Sequence, residues 1–238
     1  MILSSLLLFS CQQSHDLAFT SPRVILSVNG QHIHSDEVNE LVSYYQTYRT
    51  ESNASLIRRA IATIIPQKVM LAELALEAKQ LAQQVQQIAN LIADGGDFGE
   101  VAQQYSQDSE APTADGRYTF ARENTVYPFD IYSFTTQAKA VSIPFPTKYG
   151  YHILQPLKFI AGETPADLQV EVRHILLMFP TMIALEEKDE DVRKYINDKV
   201  QQAEILIYEI GLQNVVAFDL RDQLTIQSQA APSAPAVD

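Results

Sequence analysis

The chain has 238 residues, 46% of them hydrophobic, and a formal net charge of −12 at pH 7. This length suits one large domain or two small ones. The acidic balance argues against a nucleic-acid partner, which would need a basic face. The single cysteine, Cys11, excludes an internal disulfide.

The N-terminus is a short apolar run, MILSSLLLFSC, that ends at Cys11 and contains no Lys or Arg. The run is too short to span a bilayer and is typical of the apolar part of a signal peptide. Its last residues, LFSC, resemble the bacterial lipobox, in which the cysteine is lipidated and becomes the mature N-terminus. The resemblance predicts a lipoprotein signal peptide over residues 1–11, a polar tether over 12–23 and a lipid anchor on the periplasmic face of the cell envelope.

Two further observations bear on the anchor. Gln12 follows the cysteine, where an aspartate would resemble an inner-membrane retention signal, and this favours the outer membrane. The alternative interpretation of Cys11 is an ordinary buried thiol.

A hairpin and long helices are predicted after the tether. Asn29-Gly30 between two apolar runs favours a tight hairpin turn. Ser35, followed by two acids, is the predicted N-cap of the next helix. His32 and His34 share a strand face, but no third ligand has a matching position, so we predict no metal site. Residues 54–93 are predicted to be mostly helical, with Pro66 as the one break.

Strands follow a second short helix. They are predicted in RYTFA, in AVSIPFPTKYGYHILQPLKF and in LQVEVRHILLMFP. In TKYGYHILQP, a period of two places Gly150, His152 and Leu154 on one face, and a glycine there indicates that another backbone comes close. Taken alone, His152 is interpreted as an ordinary core histidine. A helix is predicted over Asp191–Ile210, and an Ala/Pro/Ser-rich tail over residues 227–238.

Residues from Ile88 to Leu157 resemble a parvulin-type peptidyl-prolyl isomerase domain. The resemblance rests on GGDFGEVAQQYSQD, on the phenylalanine of TVYPFDIYSF, on AVSIPFPTKYGYHI and, further along, on RHILL. With the N-terminal signal and helices, most of the chain resembles exported foldases of the SurA and PrsA type. The resemblance implies an α+β fold with a chaperone-like helical region over residues 24–84. It also implies a parvulin domain over 85–180, built on a four-stranded antiparallel sheet with surrounding helices.

The order of the strands departs from the family. The family's HIL strand precedes the long helix, whereas VRHILL here follows the last strand. In one interpretation the domain is permuted, the strand returns beside the last one, and His174 meets His152. In the other, VRHILL opens a truncated second parvulin repeat that continues over residues 181–226, because the pattern from Val200 is similar to that from Val85.

The resemblance also implies the site residues. The catalytic set is His152, His174, Asp108 and Thr147, and the proline pocket comprises Phe129, Thr125, Tyr149 and Phe120. No cofactor or metal is implied. Thr125 stands where the family has a methionine, and Gly116 is the one glycine left of a glycine-rich loop.

Two functions remain open from these residues. One is a peptidyl-prolyl isomerase that assists the folding of exported, proline-containing polypeptides. The other is a holdase with the same fold that binds unfolded polypeptides with weak or no catalysis. A homodimer formed through the helices is also open.

Overall fold

The computed structural model describes residues 19–108, 111, 113–209, 211, 212, 224 and 225. The predictions for Cys11, for residues 1–18 of the signal and tether, and for the 227–238 tail lie outside these residues. The strands are β1 (Val24–Val28), β2 (Gln31–His34), β3 (Arg117–Ala121), β4 (Phe145–Pro146), β5 (Gly150–Ile160), β6 (Gln169–Met178), β7 (Ile205–Ile207) and β8 (Leu224–Thr225). The helices are α1 (Ser35–Gln46), α2 (Asn53–Glu73), α3 (Ala75–Ala93), α4 (Phe98–Tyr105), α5 (Phe129–Thr135), α6 (Pro180–Glu186) and α7 (Val192–Gln201).

The strands form two sheets. The first, in the order β2-β1-β7-β8, is called the hairpin sheet, and the second, in the order β3-β6-β5-β4, is called the pocket sheet. Every neighbouring pair in the pocket sheet is antiparallel. The predicted α+β fold with a four-stranded antiparallel sheet and surrounding helices is therefore confirmed.

The predicted hairpin at Asn29-Gly30 is confirmed. Both residues have positive φ, 48° and 80°, and Val28 pairs with Gln31. The predicted N-cap is wrong by one residue, because His34 is the N-cap and Ser35 is the first helical residue. The Ser35 hydroxyl donates to the Ser21 carbonyl and accepts the Arg23 N–H, each at 2.9 Å. It therefore fixes the chain entering β1 and does not cap the helix.

The break predicted at Pro66 is also wrong. Helix α2 runs through Pro66, and the helical path is interrupted at Leu74, with φ −110° and ψ 36°. A proline inside a helix loses one backbone hydrogen bond. The neighbouring Ile65 and Met70 are at most 1% exposed, and their burial favours a continuous helix since packing of an apolar face is the main source of helix stability in proteins.

In the pocket sheet, β6 lies between β3 and β5. His152 pairs with Leu176 and Leu154 pairs with His174, so the two histidines are diagonal neighbours on one face. The close backbone approach predicted at Gly150 is confirmed, because a Cβ there would lie 2.1 Å from the Leu177 carbonyl oxygen. VRHILL thus completes this sheet, and its interpretation as a permuted strand stays a prediction.

The helix predicted over Asp191–Ile210 is wrong in its second half. Helix α7 ends at Gln201, and Ile205–Ile207 forms β7, antiparallel to β1. Ile205 and Ile207 are 0% and 2% exposed, and this period of two fits a strand that packs one face on the core. The similarity to the segment from Val85, which is helical through residue 93, does not extend to the structure here.

One apolar core joins the hairpin sheet, the long helices and one face of the pocket sheet. It contains Leu26 and Ile64 together with Ile153 and Ile175. The other face of the pocket sheet carries a smaller apolar cluster of Phe129, Phe145, Leu154, Val170 and Val172. In the described part of the chain, no helix has the combination of length and apolar character needed to cross a bilayer.

Candidate active site

Hydrogen bonds connect the four residues predicted to be catalytic. Thr147 Oγ1 lies 2.9 Å from His152 Nε2, and His152 Nδ1 lies 3.4 Å from His174 Nδ1. His174 Nε2 lies 2.9 Å from Asp108 Oδ2. The two imidazole rings are nearly parallel, with their centroids 5.6 Å apart. Strands β5 and β6 place the histidines, and the short connections after α4 and β4 place Asp108 and Thr147.

The ends of this series decide the direction of its hydrogen bonds. An ionised Asp108 can only accept, so His174 Nε2 donates to it. With both rings neutral, His152 Nδ1 then donates to His174 Nδ1, and the Thr147 hydroxyl donates to His152 Nε2. The Tyr149 N–H donates to Thr147 Oγ1 at 3.1 Å, so this hydroxyl is held from both sides. The tautomer of each ring is thus set by its neighbour.

Burial keeps His152 neutral. It is almost fully buried, and this desolvation, with a smaller contribution from His174, holds the pKa of His152 well below its ordinary value of 6.5. Asp108 opposes the shift without reversing it. A neutral His152 can donate at one ring nitrogen and accept at the other, which the series from Thr147 to Asp108 requires.

An apolar cup lies against the histidines. The Phe129 ring, at the start of α5, makes edge-on contacts with both imidazoles, with centroids 5.2 Å from His152 and 5.0 Å from His174. Phe120 of β3 lies 5.9 Å from Phe129. These rings line a cavity of about 550 Å³. Seven of the eight predicted site residues line it, and Thr147 is buried behind His152. The cavity is also lined by Tyr118, Val126, Leu176 and Met178 and by residues 186 and 190–193.

Tyr118 and Met178 are among the lining side chains that sequence reasoning missed. The Tyr118 hydroxyl donates to Asp108 Oδ2 at 2.8 Å, so that this oxygen accepts from both Tyr118 and His174. Met178, at the end of β6, also lines the cavity. Alternation along RYTFA places Tyr118 and Phe120 on one face, and this was the available signal for Tyr118. No signal in the chain indicated Met178.

A glycine is required at position 116, because the backbone there lies close to the backbone of His174. Its φ is +72°, and a Cβ on it would lie 2.3 Å from the His174 carbonyl oxygen. The His174 N–H donates to the Gly116 carbonyl at 3.0 Å. Only glycine combines this φ with this distance at no steric cost. The one glycine left of the predicted loop therefore holds a catalytic candidate in place.

The loop before α5 is held by the N-terminal helices. Glu123 accepts from Tyr48 at 2.7 Å and from Arg49 Nε and Nη2 at 2.6 and 2.7 Å. The Tyr44 hydroxyl donates to Asp130 at 2.6 Å. Burial raises the pKa of Asp130, which Tyr44 partly offsets. Thr125, Val126 and Phe129 lie in this stretch, so contacts from α1 and from the segment that follows it hold one wall of the cavity.

A comparison with known families agrees with this geometry. Residues 64–157 match the rotamase family model, described as the PPIC-type PPIASE domain. Over this segment the chain is similar to rotamase domains. The match starts within α2 and stops before β6, so it contains His152 and Phe129, while His174 lies outside it. The predicted boundary at residue 85 stays a prediction.

Individual proteins similar to this chain are foldases and chaperones by name. Over 93 residues the chain is 32% identical to the chaperone SurA of Burkholderia lata, which covers 39% of this chain and 21% of that protein. Over 121 residues it is 26% identical to the foldase protein PrsA 3 of Bacillus anthracis, and the match covers 50% of this chain and 42% of that protein. Over 152 residues it is 26% identical to the foldase protein PrsA of Oceanobacillus iheyensis, and the match covers 61% of this chain and 48% of that protein. The chain thus spans less than half the length of these relatives.

Proposed function

We propose that the chain catalyses the cis–trans isomerisation of X-Pro bonds in unfolded polypeptides. The observation that carries this proposal is the Phe129 ring, which lies against both buried histidines in an open cavity that Phe120 also lines. Such a cup fits a proline ring, and the polar series that ends at Asp108 lies beside it.

The reaction needs no nucleophile, metal or cofactor. Rotation about an X-Pro bond crosses a barrier of about 18–20 kcal/mol, because the planar amide loses its resonance as it twists. Binding the proline ring in the cup leaves the preceding carbonyl free to rotate. Fixed hydrogen-bonding groups at Asp108 and His174 interact more strongly with the twisted amide than with the planar one, and this difference lowers the barrier.

A protease-free prolyl isomerisation assay with short X-Pro peptides tests the proposal. We expect acceleration by the purified protein and a fall in kcat/KM of about tenfold or more in Phe129→Ala, because loss of a buried aromatic ring removes about 1.5–3 kcal/mol of apolar contact. Phe159→Ala is the matched control, since Phe159 is 40% exposed at the far end of β5. Equal rates in the two variants, or no acceleration by the wild type, would exclude this site as an isomerase.

A second candidate function is a holdase that binds unfolded chains. Two observations favour it. Thr125 adds a hydroxyl to the lining of the cavity. Large apolar side chains are exposed on α3 and in the segment before β4, with Leu76 71% and Ile143 67% exposed. Suppressed aggregation of an unfolded client, without isomerisation, would support this function. If Thr125→Met accelerates isomerisation and the wild type does not, Thr125 is the residue that accounts for the missing activity.

We also propose that the protein is exported and anchored to the envelope through a lipid on Cys11. The LFSC sequence supports this proposal, and stable anchoring takes at least two acyl chains. Growth with labelled palmitate is expected to label the wild type and not Cys11→Ser, and the variant is expected to leave the membrane fraction. A wild-type protein without label would contradict the anchor.

A further inference from the structure

One wall of the cavity is acidic. It is formed by the end of α6 and the connection from α6 to α7, where Glu186, Glu190 and Asp191 line the same cavity as Phe120 and Phe129. Asp108 adds a fourth carboxylate, and Arg193 is the one cation among the described lining residues. With every group ionised, four carboxylates and one guanidinium give this lining a net charge of −3.

The connection has a defined backbone. The Glu190 N–H and the Lys188 N–H both donate to the Leu185 carbonyl, at 2.9 and 3.0 Å, and Asp189 adopts φ 58°. These bonds fold residues 186–190 into a compact turn at the end of α6. Two acidic residues separated along the chain are thereby brought to the same cavity wall.

The carboxylates differ in their partners. Asp191 caps α7 and accepts the N–H groups of Arg193 and Lys194 at 2.8 and 3.1 Å. Asp108 accepts from His174 and Tyr118. The side-chain carboxylates of Glu186 and Glu190, by contrast, make no hydrogen bond or ion pair to any residue that the structure describes. Nor is there, in the described ranges, a group of three or more His, Cys, Asp or Glu side chains arranged to hold a metal ion.

We propose that Glu186 and Glu190 determine specificity, and that the cavity prefers proline segments with a lysine or arginine next to the proline. The inference rests on the proposed proline site. With the proline ring against Phe129, each neighbouring residue lies one backbone step of about 3.8 Å away. A long basic side chain at that position reaches toward this wall in our proposal and pairs with the carboxylates of Glu186 and Glu190, which have no side-chain partner among the described residues. An acidic side chain at that position meets like charge.

Steady-state isomerisation of matched peptides tests this proposal. Lys, Ala or Glu is placed directly before or after the proline, and kcat/KM is measured at low and high salt. At low salt we expect the Lys peptide to exceed the Glu peptide by about fivefold, the size typical of an exposed ion pair. The ratio is expected to approach one in Glu186→Gln/Glu190→Gln and to shrink as salt rises, because salt screens exposed charges.

The matched control is Glu163→Gln/Glu204→Gln, which removes two exposed carboxylates outside the cavity lining and is expected to keep the wild-type ratio. A wild-type ratio of one, or a ratio that persists in the Glu186/Glu190 double variant, would overturn the proposal while leaving the isomerase intact. If no peptide is isomerised, the proposed function fails. Fluorescence anisotropy of labelled Lys-Pro and Glu-Pro peptides then decides the inference: fivefold tighter Lys-Pro binding supports it, and equal binding overturns it.

Discussion

His152 is neutral because of its position. It lies between a hydroxyl and a second imidazole, below a phenylalanine ring, and is 4% exposed. A charged ring there would lose its hydration, so the folded protein binds no proton at His152 until the pH is well below 6.5. The unfolded chain binds that proton near pH 6.5.

This difference predicts how stability depends on pH. Below pH 6.5 the unfolded state binds more protons at His152 than the folded state, so the free energy of unfolding falls as the pH falls. Above pH 6.5 His152 is neutral in both states, so this loss of stability is absent and the free energy of unfolding has its full value. Urea unfolding at pH 8, 7, 6 and 5 measures it.

Two variants identify His152 as the source of that slope. His152→Gln keeps hydrogen-bonding groups and removes the titration, so its slope is expected to be shallower than that of the wild type. The exposed His32 is the control, and His32→Gln is expected to keep the wild-type slope. A stability that rises from pH 7 to pH 5 would contradict the prediction.

At the scale of elements, the connection from β3 to α5 depends on helices far away in the sequence. Glu123 accepts hydrogen bonds from Arg49 and Tyr48. The guanidinium of the neighbouring Arg122 lies 4.7–4.9 Å from the ring centroids of Tyr44, Tyr48 and Phe134. Cations over several aromatic faces are worth more when they are partly desolvated. The N-terminal helices thus hold the segment that carries Phe129.

We expect Glu123→Gln to weaken peptide binding more than it weakens folding. The bidentate pair with Arg49 is lost while a weaker acceptor remains for Tyr48, so the Phe129 wall becomes less fixed. The expected change is a rise in KM of about threefold to tenfold with kcat altered less, measured in the isomerisation assay.

The control for this change is Glu73→Gln, which breaks an ion pair with Lys199 outside the cavity. It is expected to leave KM unchanged. A double-mutant cycle with Arg49→Met is expected to be non-additive, because both changes remove the same contact. Additive effects, or equal effects of Glu73→Gln and Glu123→Gln on KM, would contradict the coupling.

Local patterns predicted local elements well, and contacts distant in sequence account for the errors. The turn at Asn29-Gly30 depends on adjacent residues and is confirmed. The close approach at Gly150 is also confirmed, although the strand that comes close, at Leu177, could not be identified from the local pattern. The end of α7 could not be predicted from local patterns. Ile205–Ile207 forms a strand because it pairs with the edge of β1 that β2 leaves open. The same holds for Tyr118 and Met178, whose part in the cavity depends on which strands become neighbours.

At the scale of the whole molecule, the chain closes on itself. Val28 pairs with Ile205 and Leu26 with Ile207, so β7 seals the edge of β1 that is not covered by β2. The pocket sheet and all seven described helices lie between these strands in the chain. The hairpin sheet is therefore a joint between the two ends of the described structure.

We expect Ile205→Ala to lower the free energy of unfolding by about 2–5 kcal/mol, because Ile205 is 0% exposed and its loss leaves a cavity in that joint. Leu206→Ala is the comparison, since Leu206 is only partly buried in the same strand. Urea unfolding measures both. Equal losses in the two variants would mean that β7 is not packed as described.

The position of β7 also bears on the order in which the fold is completed during synthesis. All strands of the pocket sheet are present once residue 178 has emerged, whereas the hairpin sheet lacks its third strand until residue 207. Until then β1 has a free edge of backbone N–H and C=O groups, the kind of edge to which other extended chains add. A protein proposed to act on unfolded polypeptides thus presents one open strand of its own while it is being made, and its own distant strand later covers it.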